Sequence, residues 1–299
     1  MDQLHCIRNF VAVVDAGGFA GASRKLNLSP ASVTRAVAEL ENHLGVSLLT
    51  RTTRVVRVTD AGARYVEDCR RILADLDESS NAAAGVHATP RGRVKLTAPV
   101  LFGNMYVAPL VIEYLGIYPQ TQAVCLFADR VVNMDDEGVD VAVRIGELPD
   151  SSLQAIRVGT TKRVLCAAPQ YLKQRGMPRH PRDLSEHTII AATGLTPSPQ
   201  WRFVERQKPL ICEVRPTLMT TTNDSAITAA VSGFGITRLM SYQVSEHLRT
   251  GKLKTVLTDF EMDPEPVHVL HRQGRRPNAK VRAMLDLLIE RLRADTSLN

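Results

Sequence analysis

Between Gly18 and Glu41 the chain runs through two short apolar repeats separated by a break. Phe19, Ala22 and Leu26 recur at spacings of three and four, one face of a short helix. Asn27-Leu28 interrupts the pattern, and Ser29-Pro30 restarts it. A serine hydroxyl accepts a bond from an otherwise orphan backbone N–H, and proline at the first helical position loses no bond it could have made. Val33, Val37, Leu40 and Leu44 then follow at spacings of four, three and four. Two short helices joined by a tight turn satisfy these residues, and few other local structures do.

The outward residues of the second helix carry the functional information. Ser29, Pro30, Ala31, Ser32, Thr34 and Arg35 put short and basic side chains on its first turns. Such a helix suits a DNA major groove, where arginine reads guanine edges, hydroxyls take base or phosphate, and an alanine methyl meets thymine. The reading is then a helix-turn-helix whose second helix reads sequence. An αα-hairpin within a helical bundle fits the apolar spacing equally well. Leu44-Gly45 closes the second helix with the glycine favoured past a helix C-terminus. The alternation over Arg54–Thr59 then predicts a short β-hairpin with a basic tip. Six basic residues lie between Arg24 and Arg57 (Arg24, Lys25, Arg35, Arg51, Arg54, Arg57) against two acids, Glu39 and Glu41. Arg51 and Arg54 sit where phosphate or minor-groove contacts would be made.

Taken together these segments resemble the LysR-type bacterial transcriptional regulators. The resemblance rests on Phe10–Phe19, Ala22, Leu26, Leu28-Ser29-Pro30, Val33-Thr34-Arg35, Leu40-Glu41, Leu44-Gly45, Leu48, Arg51-Thr52-Thr53-Arg54 and Thr59-Asp60-Ala61-Gly62. Gly18 stands where the family often has serine, and Leu49 where phenylalanine is common. The likeness covers essentially the whole chain. It implies an N-terminal winged helix-turn-helix with a long linker helix, then a two-lobed α/β effector domain resembling periplasmic binding proteins. The domain limits expected are 1–59 for the DNA-binding domain, 60–89 for linker helix and hinge, and 90–299 for the effector domain. Within the last, lobe one takes 90–159 and 264–299, and lobe two takes 160–263.

Bulk composition neither adds to this nor opposes it. The net charge is +6 over 299 residues. Residues 1–89 hold ten Lys/Arg and ten Asp/Glu, so the DNA-binding part is neutral and only its local cluster is basic. The N-terminus lacks the basic start and apolar run of a targeting signal. No stretch approaches the ~18 uninterrupted apolar residues of a membrane span. A cytoplasmic location with no membrane partner is the expectation. Five scattered cysteines (Cys6, Cys69, Cys125, Cys166, Cys212) show no CxxC and no metal-ligand spacing, so no metal and no cofactor is expected. They read as structural thiols. A thiol redox-sensing regulator is the alternative, and Cys166 with Cys212 would be its pair.

Asp60 to Val86 reads as one long helix capped by Thr59. Tyr65, Cys69, Ile72, Leu76, Ser79 and Ala83 make a heptad seam along it. Packing on its own domain would explain these residues too. The family resemblance favours pairing of two linker helices through Tyr65, Cys69, Ile72 and Leu76. The partners expected are therefore double-stranded promoter DNA, a small-molecule effector, a second copy in a homodimer or homotetramer, and RNA polymerase.

After the hinge at Gly85–Gly92 the pattern changes to strand–helix alternation, which predicts a parallel sheet with crossovers. Strands are expected at Arg93–Thr97, 121–127, Val139–Arg144, Lys162–Ala167, 188–192, 212–221 and 235–239. Ala98–Gly103 reads as a turn and Asn104–Tyr118 as a helix. In open α/β sheets, ligands bind in the crevice at the carboxyl ends of the strands. The effector candidates that follow are Pro99, Val100, Phe102, Arg144, Thr193 and Asn223. Each has an equally good structural duty: Arg144 could bridge to Asp140 or Glu147, and Asn223 could simply cap a helix.

No nucleophile elbow, Walker loop, dinucleotide fingerprint or zincin motif occurs, so an enzyme is not expected. A free-standing solute-binding protein and an α/β enzyme are the remaining alternatives. The reading the residues support is a sequence-specific DNA-binding regulator. A small anionic or aromatic metabolite bound between two lobes would control it.

Overall fold

The computed structural model describes residues 2–51, 56–83, 89–148, 153–192, 200–272 and 277–298. The chain forms two compact units, Met1–Ala88 and Thr89–Asn299.

The first unit holds α1 (Gln3–Asp15), α2 (Phe19–Leu26), α3 (Pro30–Leu44), the hairpin β1 (Leu49–Arg51) and β2 (Val56–Val58), and α4 (Asp60–Ala83). The Asp2 side chain caps α1 by accepting from the backbone of His5. Ile7, Phe10, Val13, Ala22, Val33, Val37 and Leu40 meet in one apolar core. Leu44, expected inside, is only partly buried at its edge.

The second unit begins with β3 (Gly92–Ala98), α5 (Val100–Phe102), a π-helical turn (Gly103–Val107) and α6 (Ala108–Ile117). The expected turn over Ala98–Gly103 is therefore a helix start. Pro99 leads directly into it, and helical geometry continues to Ile117. Gly103 in this run reads as a break, but the position must be small: a Cβ there would overlap the Phe127 ring. Pro109 cannot donate to the Met105 carbonyl, and the helix widens into the π turn just before it. Val100–Ile117 is long and apolar enough to cross a bilayer by length and composition alone. Here Phe102, Val107, Val111 and Tyr114 pack it onto a sheet.

That sheet has the order β4-β3-β5-β14-β6, with β4 (Thr121–Phe127), β5 (Val141–Ile145) and β6 (Leu153–Thr161). The chain then crosses to lobe two through β7 (Arg163–Ala167), α7 (Pro169–Arg175), β8 (Ile189–Ala192), the hairpin β9 (Gln200–Glu205) and β10 (Lys208–Glu213), and β11 (Pro216–Thr220). It continues with α8 (Asn223–Val231), β12 (Ile236–Met240), α9 (Ser241–Arg249) and β13 (Lys254–Val256). The expected single strand over 212–221 is two strands, because Pro216 lacks an N–H and starts a new strand beside β8. The lobe-two sheet runs β11-β8-β12-β7-β13. Finally β14 (Glu265–Arg272) returns to lobe one, and α10 (Ala279–Ala294) covers its sheet.

Both sheets are mixed rather than parallel. β3, β4 and β5 run parallel, and β14 enters antiparallel between β5 and β6. In lobe two, β8, β11 and β12 are parallel, and β7 is antiparallel to its neighbours. Crossing twice between lobes reverses the chain, which the local strand–helix pattern does not reveal.

The lobes share an apolar junction. Tyr242, on α9 of lobe two, is 3% exposed and belongs to the lobe-one core. Its ring meets Phe102 edge-on at 5.3 Å and Tyr106 at 5.9 Å. Such pairs contribute roughly 0.5–1.5 kcal/mol beyond the burial of their area. Beside them the Thr161 and Ser241 hydroxyls lie 3.1 Å apart, where β6 passes into β7.

Candidate nucleic-acid interface and effector cleft

The turn between α2 and α3 closes through Asn27, which takes the left-handed conformation at the C-terminus of α2. Asparagine tolerates that conformation because its short polar side chain bonds locally. The Ser23 hydroxyl reaches across to the Leu28 carbonyl. Ser29 caps α3, accepting from the Ser32 backbone at 3.1 Å, and Pro30 is the first helical residue. Gly45 ends α3 in the left-handed region.

Ala31, Ser32 and Arg35 are exposed on the first turns of α3, opposite the buried Val33, Ala36 and Val37. The hydroxyls are engaged within the helix. Ser32 Oγ lies 2.8 Å from Ser29 Oγ, and Thr34 donates to the Pro30 carbonyl at 2.8 Å. Arg35 makes no hydrogen bond or ion pair among the described residues, so its five donors face outward.

The wing is fixed by Glu41, one of the residues on which the family resemblance rests. The Glu41 carboxylate accepts the backbone N–H groups of Leu48 at 2.8 Å and Leu49 at 3.0 Å. Thr59 caps α4 by accepting from Gly62 at 3.0 Å and donates to the Ser47 carbonyl. At Gly62 a Cβ would overlap the Leu48 carbonyl oxygen. Arg51 ends β1, its side chain outside the described atoms, and Arg54 lies outside the described residues.

The linker seam divides in two. Cys69 is fully buried in the core of its own unit, and Tyr65 packs there with Phe10, ring centres 6.0 Å apart. These two are therefore core residues rather than free seam positions, because α4 rests on α1 over its first turns. An ion pair between Arg70 and Asp15 fastens the same contact. Ile72, 45% exposed, and Leu76, 37% exposed, stand outside that core.

In the second unit the carboxyl ends of β3, β4 and β5 belong to lobe one and those of β8 and β11 to lobe two, and a contact between Asp129 and Asn223 links the two lobes there. The Val100 N–H is not vacant: Asp129, after β4, accepts it at 3.0 Å. The other oxygen of Asp129 accepts from the Asn223 side chain at 3.4 Å. Asn223 opens α8, and Thr222 supplies the cap by accepting from Ser225. The structure thus brings Pro99, Val100 and Asn223 together through a residue the sequence reading did not name. The signal available was position, since Asp129 follows the carboxyl end of a parallel strand.

Two candidates are placed differently. Phe102 is fully buried, stacked on Tyr106 at 4.7 Å, and has no surface for a ligand. Its apolar bulk faces inward because the helix begins at Val100. Arg144 bridges to neither Asp140 nor Glu147. It donates to the Val132 carbonyl, on the sheet face that carries Ala142, Val132 and Met134. Thr193 lies outside the described residues. The thiols proposed as a redox pair lie on opposite faces of the lobe-two sheet. Cys166 packs with Val164 and Leu239, and Cys212 with Trp201 and Phe203. Burial pushes the Cys166 thiol up to about 12.

A winged helix-turn-helix followed by a two-lobed α/β domain with a crevice defines a ligand-responsive DNA-binding regulator. The chain belongs to the LysR family of bacterial transcriptional regulators. The LysR substrate binding domain matches residues 87–293, and the bacterial regulatory helix-turn-helix of the lysR family matches residues 4–63. The chain is 32% identical to an HTH-type transcriptional repressor of Pseudomonas aeruginosa, covering 97% of this chain and 92% of that one. It is 32% identical to the HTH-type transcriptional regulator DmlR of Escherichia coli, covering 95% and 93%. Among solved structures it resembles CrgA, a LysR-type regulator from Neisseria meningitidis, with a TM-score of 0.62 and 28% identity over 98% of both chains. The full-length Vibrio cholerae virulence activator AphB gives 0.61 and 27%, covering 96% of this chain and 98% of that one. Regulators of this family bind promoter DNA and small-molecule effectors and form oligomers.

Proposed function

We propose that α3 reads promoter DNA through Ala31, Ser32, Thr34 and Arg35, with Ser29 and Pro30 fixing its first turn and Arg51 and Arg54 engaging phosphates. The observation that carries this reading is the outward, unpartnered guanidinium of Arg35 on the first turns of a correctly capped helix. Two copies pair through Ile72 and Leu76 of α4, placing two reading helices on half-sites about one or more helical turns apart. Assembly into a tetramer, contact with RNA polymerase and a cytoplasmic location complete the proposal. An anionic or aromatic metabolite enters between the lobes. It shifts the assembly only by its difference in affinity for the two lobe arrangements.

Selection of sites from random duplex DNA at fixed salt tests the DNA half. Enrichment of an interrupted inverted repeat is expected. On the selected duplex, Arg35→Ala should cost about 1–3 kcal/mol and relax preference at one base position. Unchanged affinity and preference would place the reading face elsewhere.

A further inference from the structure

Arg238 lies on β12 opposite Leu165 of β7, on the sheet face shared with Ile236. Its guanidinium carbon sits 5.0 Å from the centre of the Trp201 ring. Trp201 is 4% exposed and packed in the lobe-two core, so the ring backs the guanidinium without offering a surface of its own. The cation is partly buried. Desolvation, with repulsion from Arg163 second, pulls it down from 12.5 to about 10 against the attraction of Glu265. A charge in such surroundings is costly unless a partner answers it.

No carboxylate of the described residues does so. Glu265 is taken: its Oε1 accepts from Arg163 Nε at 2.6 Å. Arg238 makes no hydrogen bond or ion pair among the described residues, and none of its nitrogens is sealed from solvent. The place is the lobe junction. The second oxygen of Glu265 lies 3.2 Å from where a Cβ would stand on Gly146, just past the carboxyl end of β5 in lobe one. Two guanidinium groups and one carboxylate meet there, an excess of one positive charge.

We propose that Arg238 is the anion-binding group of the effector cleft and takes the carboxylate of a small monocarboxylic acid. The indole lies against the guanidinium carbon, and the N–H groups, unpaired among the described residues, can donate the two parallel N–H···O bonds that a carboxylate accepts. Glu265 beside it disfavours a second negative charge, so a monoanion is preferred over a dianion. This rests on the reading of the cleft as the effector site.

Trp201 is the only tryptophan in the chain, so its fluorescence reports on this place alone. Full-length protein is titrated with acetate, benzoate, inorganic phosphate and the neutral isostere benzamide. The expected result is a saturable change with the two carboxylates, weaker binding of phosphate and no saturation with benzamide. Arg238→Gln should weaken carboxylate binding about tenfold or more, and Arg238→Lys, which keeps the charge but loses the fork, by less. Near-ultraviolet circular dichroism checks each variant for folding, and Arg238→Lys serves alone if the glutamine variant is unfolded. Absence of a saturable carboxylate response in the wild type, or a response undiminished in the folded variants, overturns the proposal.

The same acids are added to wild-type protein on its selected duplex. A Trp201 response that leaves DNA binding unmoved keeps the carboxylate site and sinks the effector reading. DNA binding that responds to a ligand while Trp201 ignores every carboxylate does the reverse.

Discussion

Asp129 of lobe one accepts a hydrogen bond from the side-chain amide of Asn223 of lobe two at 3.4 Å, while its other oxygen holds the Val100 N–H. One carboxylate therefore sits between the first turns of helices from two lobes, where the positive ends of helix dipoles favour a negative charge. Removing it leaves Val100 unpaired. Asp129→Ala should speed amide exchange at Val100 about tenfold, as loss of one partly exposed charge-assisted hydrogen bond implies. Asn223→Ala should leave Val100 protected, since the 3.0 Å bond is untouched. Site-resolved hydrogen exchange decides it, and an unaltered Val100 rate in Asp129→Ala would show that the contact is absent in solution.

The wing depends on Glu41 and Gly62. Glu41→Ala strips the acceptor from two backbone N–H groups and should lower stability by about 1–3 kcal/mol. Gly62→Ala drives a methyl group into the Leu48 carbonyl and should cost roughly as much or more. Thermal unfolding of the first unit measures both. Glu41→Gln, which keeps an acceptor but not the charge, should fall between wild type and alanine. Equal melting points for all three would show that the wing is held by other contacts.

Acid should weaken the second unit through two histidines. Burial, and then Arg175, depresses His187; burial, and then Arg157, depresses His268. His187 Nδ1 lies 3.1 Å from the Tyr171 hydroxyl, which accepts the Thr188 N–H at 2.8 Å. That hydroxyl can donate its own proton to Nδ1 of a neutral imidazole that carries its hydrogen on Nε2. A histidine depressed in the fold binds more protons when unfolded, so its stabilisation is complete above the ordinary value of 6.5 and is lost as pH falls below it. The melting temperature should be level across neutral pH and decline below about 6.5. His187→Phe should flatten part of that decline. An unchanged slope in the variant would mean that His187 does not titrate with unfolding.

Four of the five cysteines are buried and Cys125 is exposed. Burial also pushes Cys69 up to about 11, so neither access nor thiolate character favours its reaction. Desolvation also raises the Cys125 thiol, but its exposure sets it apart, so a thiol-exchange reagent at neutral pH should titrate Cys125 first and the remaining four only on unfolding. Oxidant should leave Cys166 and Cys212 unlinked, and a disulfide between them by mass spectrometry would contradict the sheet that separates them.

The first unit was legible because its decisive residues act locally. Ser29 caps the helix it precedes, Gly45 ends the helix it follows, and Val33, Val37 and Leu40 show their shared face by spacing alone. The contacts of Glu41 and Asp129 are not legible in the sequence because their partners lie at a distance along it, in the first case Leu48 and Leu49, in the second Val100 and Asn223. A carboxylate carries no local mark of what it will accept. Phe102 misled for a related reason. Its place after a strand suggested a crevice, but helix phase, set by Pro99, turned it inward against Tyr242, a residue 140 positions away. The heptad spacing of α4 was equally ambiguous, because packing on α1 and pairing with a second copy impose the same period on Tyr65 and Cys69 as on Ile72 and Leu76.

The place of β14 between β5 and β6 sets the order in which this protein can be made. The lobe-two sheet draws only on residues 163–256, so it can close soon after that stretch has emerged. Lobe one cannot. Its sheet lacks an inner strand until Glu265–Arg272 arrives, 104 residues after β6 ends at Thr161. At ~5–20 residues per second that is a delay of roughly 5–20 s. Throughout it β5 offers an unpaired edge bearing Val141 and Val143, a ready template for a neighbouring nascent chain. A fragment truncated before residue 265 keeps that edge open permanently, so the upstream portion of the gene would yield an aggregating polypeptide rather than half a sensor.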